Sequence, residues 1–230
     1  MHKVIVTSAA YRRSGEWNAD AAEADPSASR LWRYPPRRLD AEPIRDAVLA
    51  VSGTLNLEMG GPSIMPAIDA AVLAGQSRPG SGWTVSDPAK ATKRSVYIHV
   101  KRTLGVPELD LLDAADKNEP CPKRAVTTTA PQALTFLNGA FLHQQAGRFA
   151  DRLKAEAGED SARQIDRAFY LAFGRSPTNR ENEISRDFLR DQTRKIEARP
   201  KPEDRKESKH EALRAFCLVI LNANEFVTID

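Results

Sequence analysis

Cysteine is nearly absent: Cys121 and Cys217 are the only two in 230 residues. That excludes a disulfide miniprotein, and the sequence leaves open whether the two pair or stay free. Neither lies in a C-x-x-C-H arrangement, so this segment attaches no c-type haem. Histidine is equally sparse. His2, His99, His143 and His210 are scattered, no metal-ligand spacing links them to the cysteines, and neither a metal site nor a cofactor is expected. No apolar run approaches the ~18 residues of a membrane-spanning helix. The opening residues do not form the basic-then-apolar pattern of a signal peptide. Charge of one sign is also lacking. The 34 Lys and Arg against 31 Asp and Glu leave +3, too little to demand a polyanionic partner. In the C-terminal half the signs alternate within each segment, so no one-sign face for nucleic acid is expected. G-x-G-x-x-G, the P-loop, H-E-x-x-H and G-x-S-x-G are all missing. The sequence therefore carries no catalytic signature and leaves open whether the protein is an enzyme.

What is present is an ordinary globular composition, 41% hydrophobic and 28% charged, enough to bury a core. The stretch His2–Tyr11 is apolar and reads as a strand or a short buried helix. Residues 14–29 read as an exposed loop. Asp40 then precedes a helix with Ile44, Ala47, Val48 and Val51 on one face and Gly53 just past its end. From 54 to 93 the chain is loop-like, with breakers at Met59-Gly60-Gly61-Pro62 and Pro79-Gly80-Ser81-Gly82. The 64–92 part is expected to be a weakly ordered excursion, because its prolines disfavour both helix and ladder. Arg94–Lys101, with β-branched and aromatic residues in loose alternation, predicts a short strand.

The second half is punctuated by four matches to the capping box: Thr129-x-x-Gln132, Ser161-x-x-Gln164, Thr178-x-x-Glu181 and Ser208-x-x-Glu211. Each opens an apolar-periodic stretch, including Phe149 and Leu153, Ile165 and Phe169, Ile184 and Phe188, and Phe216 and Ile220. The expectation is a mainly α, irregular helical domain with at most a short strand element and a long loop excursion. It is read as one domain over 1–230, with a loop-rich half at 1–126 and a helical half at 127–230.

Polar chemistry is densest between the expected strand and the first capped helix. Asp113-x-x-Asp116-x-Asn118 offers two carboxylates and an amide to a hard cation or to hydroxyls. Arg94 and Arg124, with Thr128 at a helix start, offer anion contacts. If the chain binds a small ligand, Arg94, Asp113, Asp116, Asn118, Arg124 and Thr128 are the candidates. The competing reading has Arg94 or Arg124 pairing with Asp113 or Asp116 to pin the loop. Gly60-Gly61-Pro62-Ser63 reads first as a plain turn and second as an anion cradle. Asn222 and Asn224 read as helix-end caps.

In combination, these blocks resemble a known family. His2-Lys3-Val4-Ile5-Val6-Thr7-Ser8-Ala9-Ala10-Tyr11-Arg12 is similar to the opening block of the planctomycete PSD-one domain, a domain of unknown function. So are Arg37-Arg38-Leu39-Asp40-Ala41-Glu42 with Ile44-Arg45-Asp46-Ala47, the Met59–Pro62 turn, Arg94–Tyr97, Asp113–Asp116 followed by Cys121 and Arg124, and Thr127-Thr128. Further along, Pro131–Leu134, Gly174-Arg175-x-Pro177-Thr178-x-x-Glu181 and Leu221-Asn222-x-Asn224-Glu225-Phe226 come in the same order. The resemblance implies a context more than an activity. Members usually form the C-terminal part of large exported proteins, with a cytochrome c-like domain upstream. The block that normally precedes the opening one is missing, so the chain is expected to be a truncated fragment. The resemblance thus implies an exported or periplasmic module, structural or interacting. Its partners would be the upstream domains of the parent protein or an equivalent chain. The alternative is part of a carbohydrate-active enzyme or glycan-binding protein.

Overall fold

A computed structural model describes residues 1–127, 129–201, 205 and 207–229, Thr135 by its backbone alone. The chain divides into two compact units: residues 1–39 with 227–230, and residues 40–226. Among the described residues the fold is mainly α, with twelve helices and a single two-stranded sheet.

The first unit holds α1 (His2–Val6), α2 (Ala19–Ala24) and the antiparallel pair of β1 (Arg37–Arg38) with β2 (Thr228–Ile229). The opening stretch is a helix, but α1 buries no residue; Val4 is 73% exposed. Five residues cannot form an amphipathic face wide enough to anchor themselves, and three of these are consecutive apolar side chains that point in different directions. Around α2 the Asp25 carboxylate accepts bonds from the Ser29 and Arg30 amides, which hold it below the usual carboxylate range. Trp32 Nε1 donates to the Asp25 carbonyl at 2.8 Å.

The second unit begins with α3 (Ala41–Ser52), runs through the short helices α4 (Ala70–Ala74), α5 (Pro88–Ala91) and α6 (Pro107–Leu111), and ends in a bundle. The bundle contains α7 (Ala130–Asn138), α8 (Ala140–Ala157), α9 (Ser161–Phe173), α10 (Asn179–Glu197), α11 (Ser208–Leu221) and α12 (Asn224–Val227). Helix α8 is the spine, packed against α3, α9 and α11. Its Ala146, Phe149, Ala150 and Leu153 are wholly buried. They recur at three- and four-residue spacing, so the small alanines let neighbours approach while Phe149 and Leu153 fill the space between. A polar lock joins α8 to α3: the Ser52 and Thr54 hydroxyls each donate to Gln145 Oε1 at 2.8 Å. Arg152 of α8 donates to the carbonyls of Ala50 and Val51, which α3 leaves open at its end. There Gly53 takes the left-handed conformation, φ 79°, that lets the helix stop.

Several expectations need correction. Arg94–Lys101 is not a strand. Ser95–Tyr97 form a 3-10 turn, and the residues after it make only isolated bridges, Ile64 with Ile98 and Lys101 with Leu104. The Ser95 amide and hydroxyl both bond Asp46, which turns the chain away from a ladder, and the β-branched Val96 and Val100 point to solvent. The 64–92 excursion is irregular but anchored. Ile64, Ile68 and Trp83 are buried, and Trp83 Nε1 donates to the Pro66 carbonyl at 3.0 Å. Ile184, expected on the core stripe of α10, is 52% exposed; Leu189 of the same stripe is buried, as are Ser185 and Ile196.

Of the four capping boxes, the one at Thr178 and Glu181 is complete. At Thr129 only the Gln132 side chain closes, accepting from the Thr129 amide. Ser161 and Ser208 are already the first helical residues. Asp160 caps α9 through the Ala162 amide, and Glu207, left-handed, precedes α11 without a side-chain cap. At α9 an acidic residue one position earlier takes the Ala162 amide and adds a favourable charge at the helix N-terminus.

Glu181 has a second partner. Gly174 ends α9, and the next residue, Arg175, forks onto Glu181 at 2.7 and 2.9 Å and onto Glu225 at 2.7 Å. Its guanidinium lies over the rings of Phe169 and Phe173. This clamp ties the α9–α10 turn to α12 and lowers the Glu181 pKa from 4.5 to about 2, chiefly through the Arg175 hydrogen bonds.

Two outcomes are expected. Asp160→Ala should lower the midpoint of a denaturant titration, while Ser161→Ala should leave it nearly unchanged. Because the folded pKa of Glu181 is depressed, its contribution is complete above about pH 4.5 and is lost as pH falls toward about 2. In Glu181→Gln the thermal midpoint should be lower at neutral pH and fall less steeply through that acid window.

Candidate functional site

The most unusual chemistry of the second unit is a set of buried charges. Arg45 sits on α3 beside Ile44 and Val48 and is 7% exposed. Its Nη1 donates to the Lys93 carbonyl and to Ser95 Oγ, both at 3.1 Å, and its Nη2 donates to the Ala91 carbonyl at 2.7 Å. The Phe141 ring lies 5.7 Å away. Ser95 Oγ passes its own hydrogen to Asp46 Oδ1 at 2.7 Å. Asp46 also lies 3.8 Å from Arg94 Nε. Burial pulls the Arg45 pKa down, opposed by the charges of Asp46 and Glu108. A buried guanidinium is tolerable only when its donors are met, and here carbonyls and a hydroxyl meet them.

Lys93 is also buried. Its ammonium donates to the Gly60 carbonyl at 3.0 Å, lies 3.2 Å from Glu58, and faces the Tyr97 ring at 5.6 Å. The Gly60 amide donates to the Tyr97 hydroxyl at 2.8 Å. The Met59–Gly61 turn therefore wraps a lysine. Gly60 and Gly61 both have positive φ, and an added Cβ on Gly61 would stand 3.4 Å from that ammonium.

Glu108, in the first turn of α6, lines a cavity of about 30 Å³ together with Arg45, Ile44, Val48, Phe136 and Phe141. That volume accommodates about one or two waters and no substrate. Burial raises the Glu108 pKa; its own amide and Arg45 pull the other way.

Of the described residues singled out from sequence, Asp116 and Asn118 bond each other, while Arg94, Asp113 and Arg124 bond residues outside the set. Arg94 is half exposed beside Asp46. Asp113, with φ 62°, accepts from the Thr127 amide and hydroxyl at 2.8 Å and from Gln132 at 3.3 Å. Asp116 accepts from the Asn118 amide at 2.8 Å, an exposed Asx turn. Arg124 forks onto Glu42 of α3 at 2.5 and 3.0 Å. Thr128 lies outside the described residues. The structure thus brings Asp113 together with Thr127 and Gln132. Arg94 and Arg124 take carboxylates from α3, and not Asp113 or Asp116 as the pairing expected from sequence requires. Cys121 is exposed and Cys217 buried, both free thiols, and burial pushes the Cys217 pKa well up. Among the described residues no three His, Cys, Asp or Glu side chains group closely enough to hold a metal ion.

Sequence reasoning missed Arg45, Lys93 and Glu108. A signal existed for Arg45: it occupies the core stripe of a helix, adjacent to Ile44 and three residues before Val48. Lys93 and Glu108 lie in irregular or short segments where no periodicity marks an inward side chain.

A family model described as a protein of unknown function, PSD1 (DUF1553), matches residues 1–189. No curated protein and no solved structure matches the chain.

Removing one member of the buried network separates its roles. Arg45→Met leaves the Ala91 and Lys93 carbonyls without their donor and should cost about 3–5 kcal/mol in denaturant unfolding. Asp116→Asn, on the exposed turn, should stay within about 0.5 kcal/mol. A carboxyl whose folded pKa is raised costs stability once pH passes its unfolded value. Glu108→Gln should therefore raise the thermal midpoint near pH 7 and change it little near pH 3.

Proposed function

The chain belongs to the PSD1 family of proteins of unknown function (DUF1553), and on that premise we propose that it is a structural and interaction module of a large exported planctomycete protein. Its partners are the upstream, cytochrome-associated domains of such a parent, or an equivalent chain. One observation carries this reading: the polar residues of the family-like blocks are bonded to one another. Arg124 holds Glu42, Asp46 holds Ser95, Asp113 holds Thr127, and Arg175 holds Glu181 and Glu225. Residues engaged in this way fix the path of the chain; a reacting carboxylate pair would instead face a cleft with room for substrate. The exposed apolar residues Val4 and Ile5 of α1 add a surface suited to burial against a neighbour.

A second reading, contact with a glycan, is favoured by Trp17. Its ring is 64% exposed, stands edge-on to Trp32 at 5.8 Å, and has the Arg33 guanidinium 4.7 Å from its centroid. An aromatic ring in this position suits the apolar face of a sugar.

The test is co-purification of the 230-residue chain with the separately expressed upstream domains of a full-length family member. A one-to-one complex on size exclusion is expected, weakened by Ile5→Asp. Failure to associate, together with binding to polysaccharide in affinity electrophoresis that Trp17→Ala abolishes, would replace the interaction reading with the glycan one.

A further inference from the structure

Helix α10 carries arginines at 186, 190 and 194. Four-residue spacing keeps all three on one side of the helix. They line a groove of about 470 Å³, within the range of small-molecule sites. The end of α8, the start of α9 and the start of α11 form its other walls, and the buried Leu189 and Leu213 contribute an apolar floor.

The ionic groups of this groove are Lys154, Arg186, Arg190, Arg194 and Lys209 against Glu159, Glu197 and Glu207, with His210 among them. Cations exceed anions by two before His210 is counted. Their pairing is uneven. Lys154 has Glu159 at 3.1 Å, Arg190 has Asp187 at 2.9 Å, and Arg194 reaches Asp191 only at 3.9 Å. Arg186 Nε donates to the neutral Asn182 amide oxygen at 2.6 Å and has no carboxylate within 4.0 Å among the described residues. The same holds for Lys209. His210 turns Nε2 toward Asp151 at 3.3 Å, while its Nδ1 is buried with no hydrogen-bond partner among the described residues.

We propose that this groove binds a compact oxyanionic ligand. Phosphate or carboxylate groups would be taken by Arg186 and Lys209, with the ligand's apolar body on Leu189 and Leu213. Arginine forks match the geometry of both oxyanions. The three interspersed carboxylates exclude an extended polyphosphate backbone, which needs an unbroken positive face. Arg190, Arg194, Lys209 and His210 lie beyond residues 1–189, so most of the groove's cations fall outside the segment that matches the family model.

The test is titration calorimetry of the whole 230-residue chain with inorganic pyrophosphate and, separately, with tricarballylate, at low salt and at about 0.15 M, where weak surface attraction is largely screened. Saturable one-to-one binding that persists at the higher salt is expected, and the tighter probe identifies the anion as phosphate-like or carboxylate-like. Arg186→Gln and Lys209→Gln, both at exposed positions, should each weaken it by about tenfold or more with unchanged circular dichroism. Arg180→Gln, an exposed cation of the same helix that does not line the groove, should leave it unchanged. Any of four results would overturn the proposal: no binding of either probe at millimolar concentration, binding lost at 0.15 M salt, equal weakening by Arg180→Gln, or tighter binding of a short DNA duplex.

Discussion

A guanidinium buried on α3 sets the course of much of the second unit. Arg45 cannot lie inside the protein unless its donors are met, and the acceptors that meet them are the carbonyls of Ala91 and Lys93 and the hydroxyl of Ser95. Once those residues are held against α3, the Lys93 side chain is drawn inward, and it in turn gathers the Gly60 turn, Glu58 and Tyr97. A loop of some forty residues without long helices would otherwise have little to fix it. Here polar bonds perform the task that apolar stripes perform elsewhere. Ile64 and Trp83 then complete the anchoring by burial.

The bundle obeys simpler rules. Phe149 and Leu153 are wholly buried because α8 is covered by α3, α9 and α11, and the alanines at 146 and 150 allow the close approach. Phe149 and Leu153 were legible in the sequence because a 3.6-residue period survives any detail of tertiary contact. So was Gly53, since a helix stop that needs positive φ favours glycine. Thr178 and Asp40 stand at the cap positions read for them, but two other caps were legible only to within one position. Ser161 and Ser208 satisfy the box pattern, yet Asp160 and Glu207 precede their helices, because pattern spacing does not reveal which residue turns first.

The site was legible in part. Asp113 is bonded to Thr127 and Gln132 rather than to either arginine, and Arg94 and Arg124 take their partners from α3 rather than from the nearby aspartates. Partner choice across about eighty residues is a tertiary fact that local spacing does not carry. The strand read at 94–101 failed for a related reason. Asp46, distant in sequence, captures the Ser95 amide and overrides the β preference of Val96 and Val100.

Glu181 belongs at once to the box that starts α10 and to the clamp of Arg175 that reaches Glu225. One carboxylate thereby couples the end of α9, the beginning of α10 and the entry to α12. Losses at Arg175, Thr178 and Glu225 will not add independently, since each removes part of an interaction the others share. Replacing Arg175 or Glu181 alone strands a charged partner, so the α9–α10 turn tolerates a change at one of them only with a compensating change at the other.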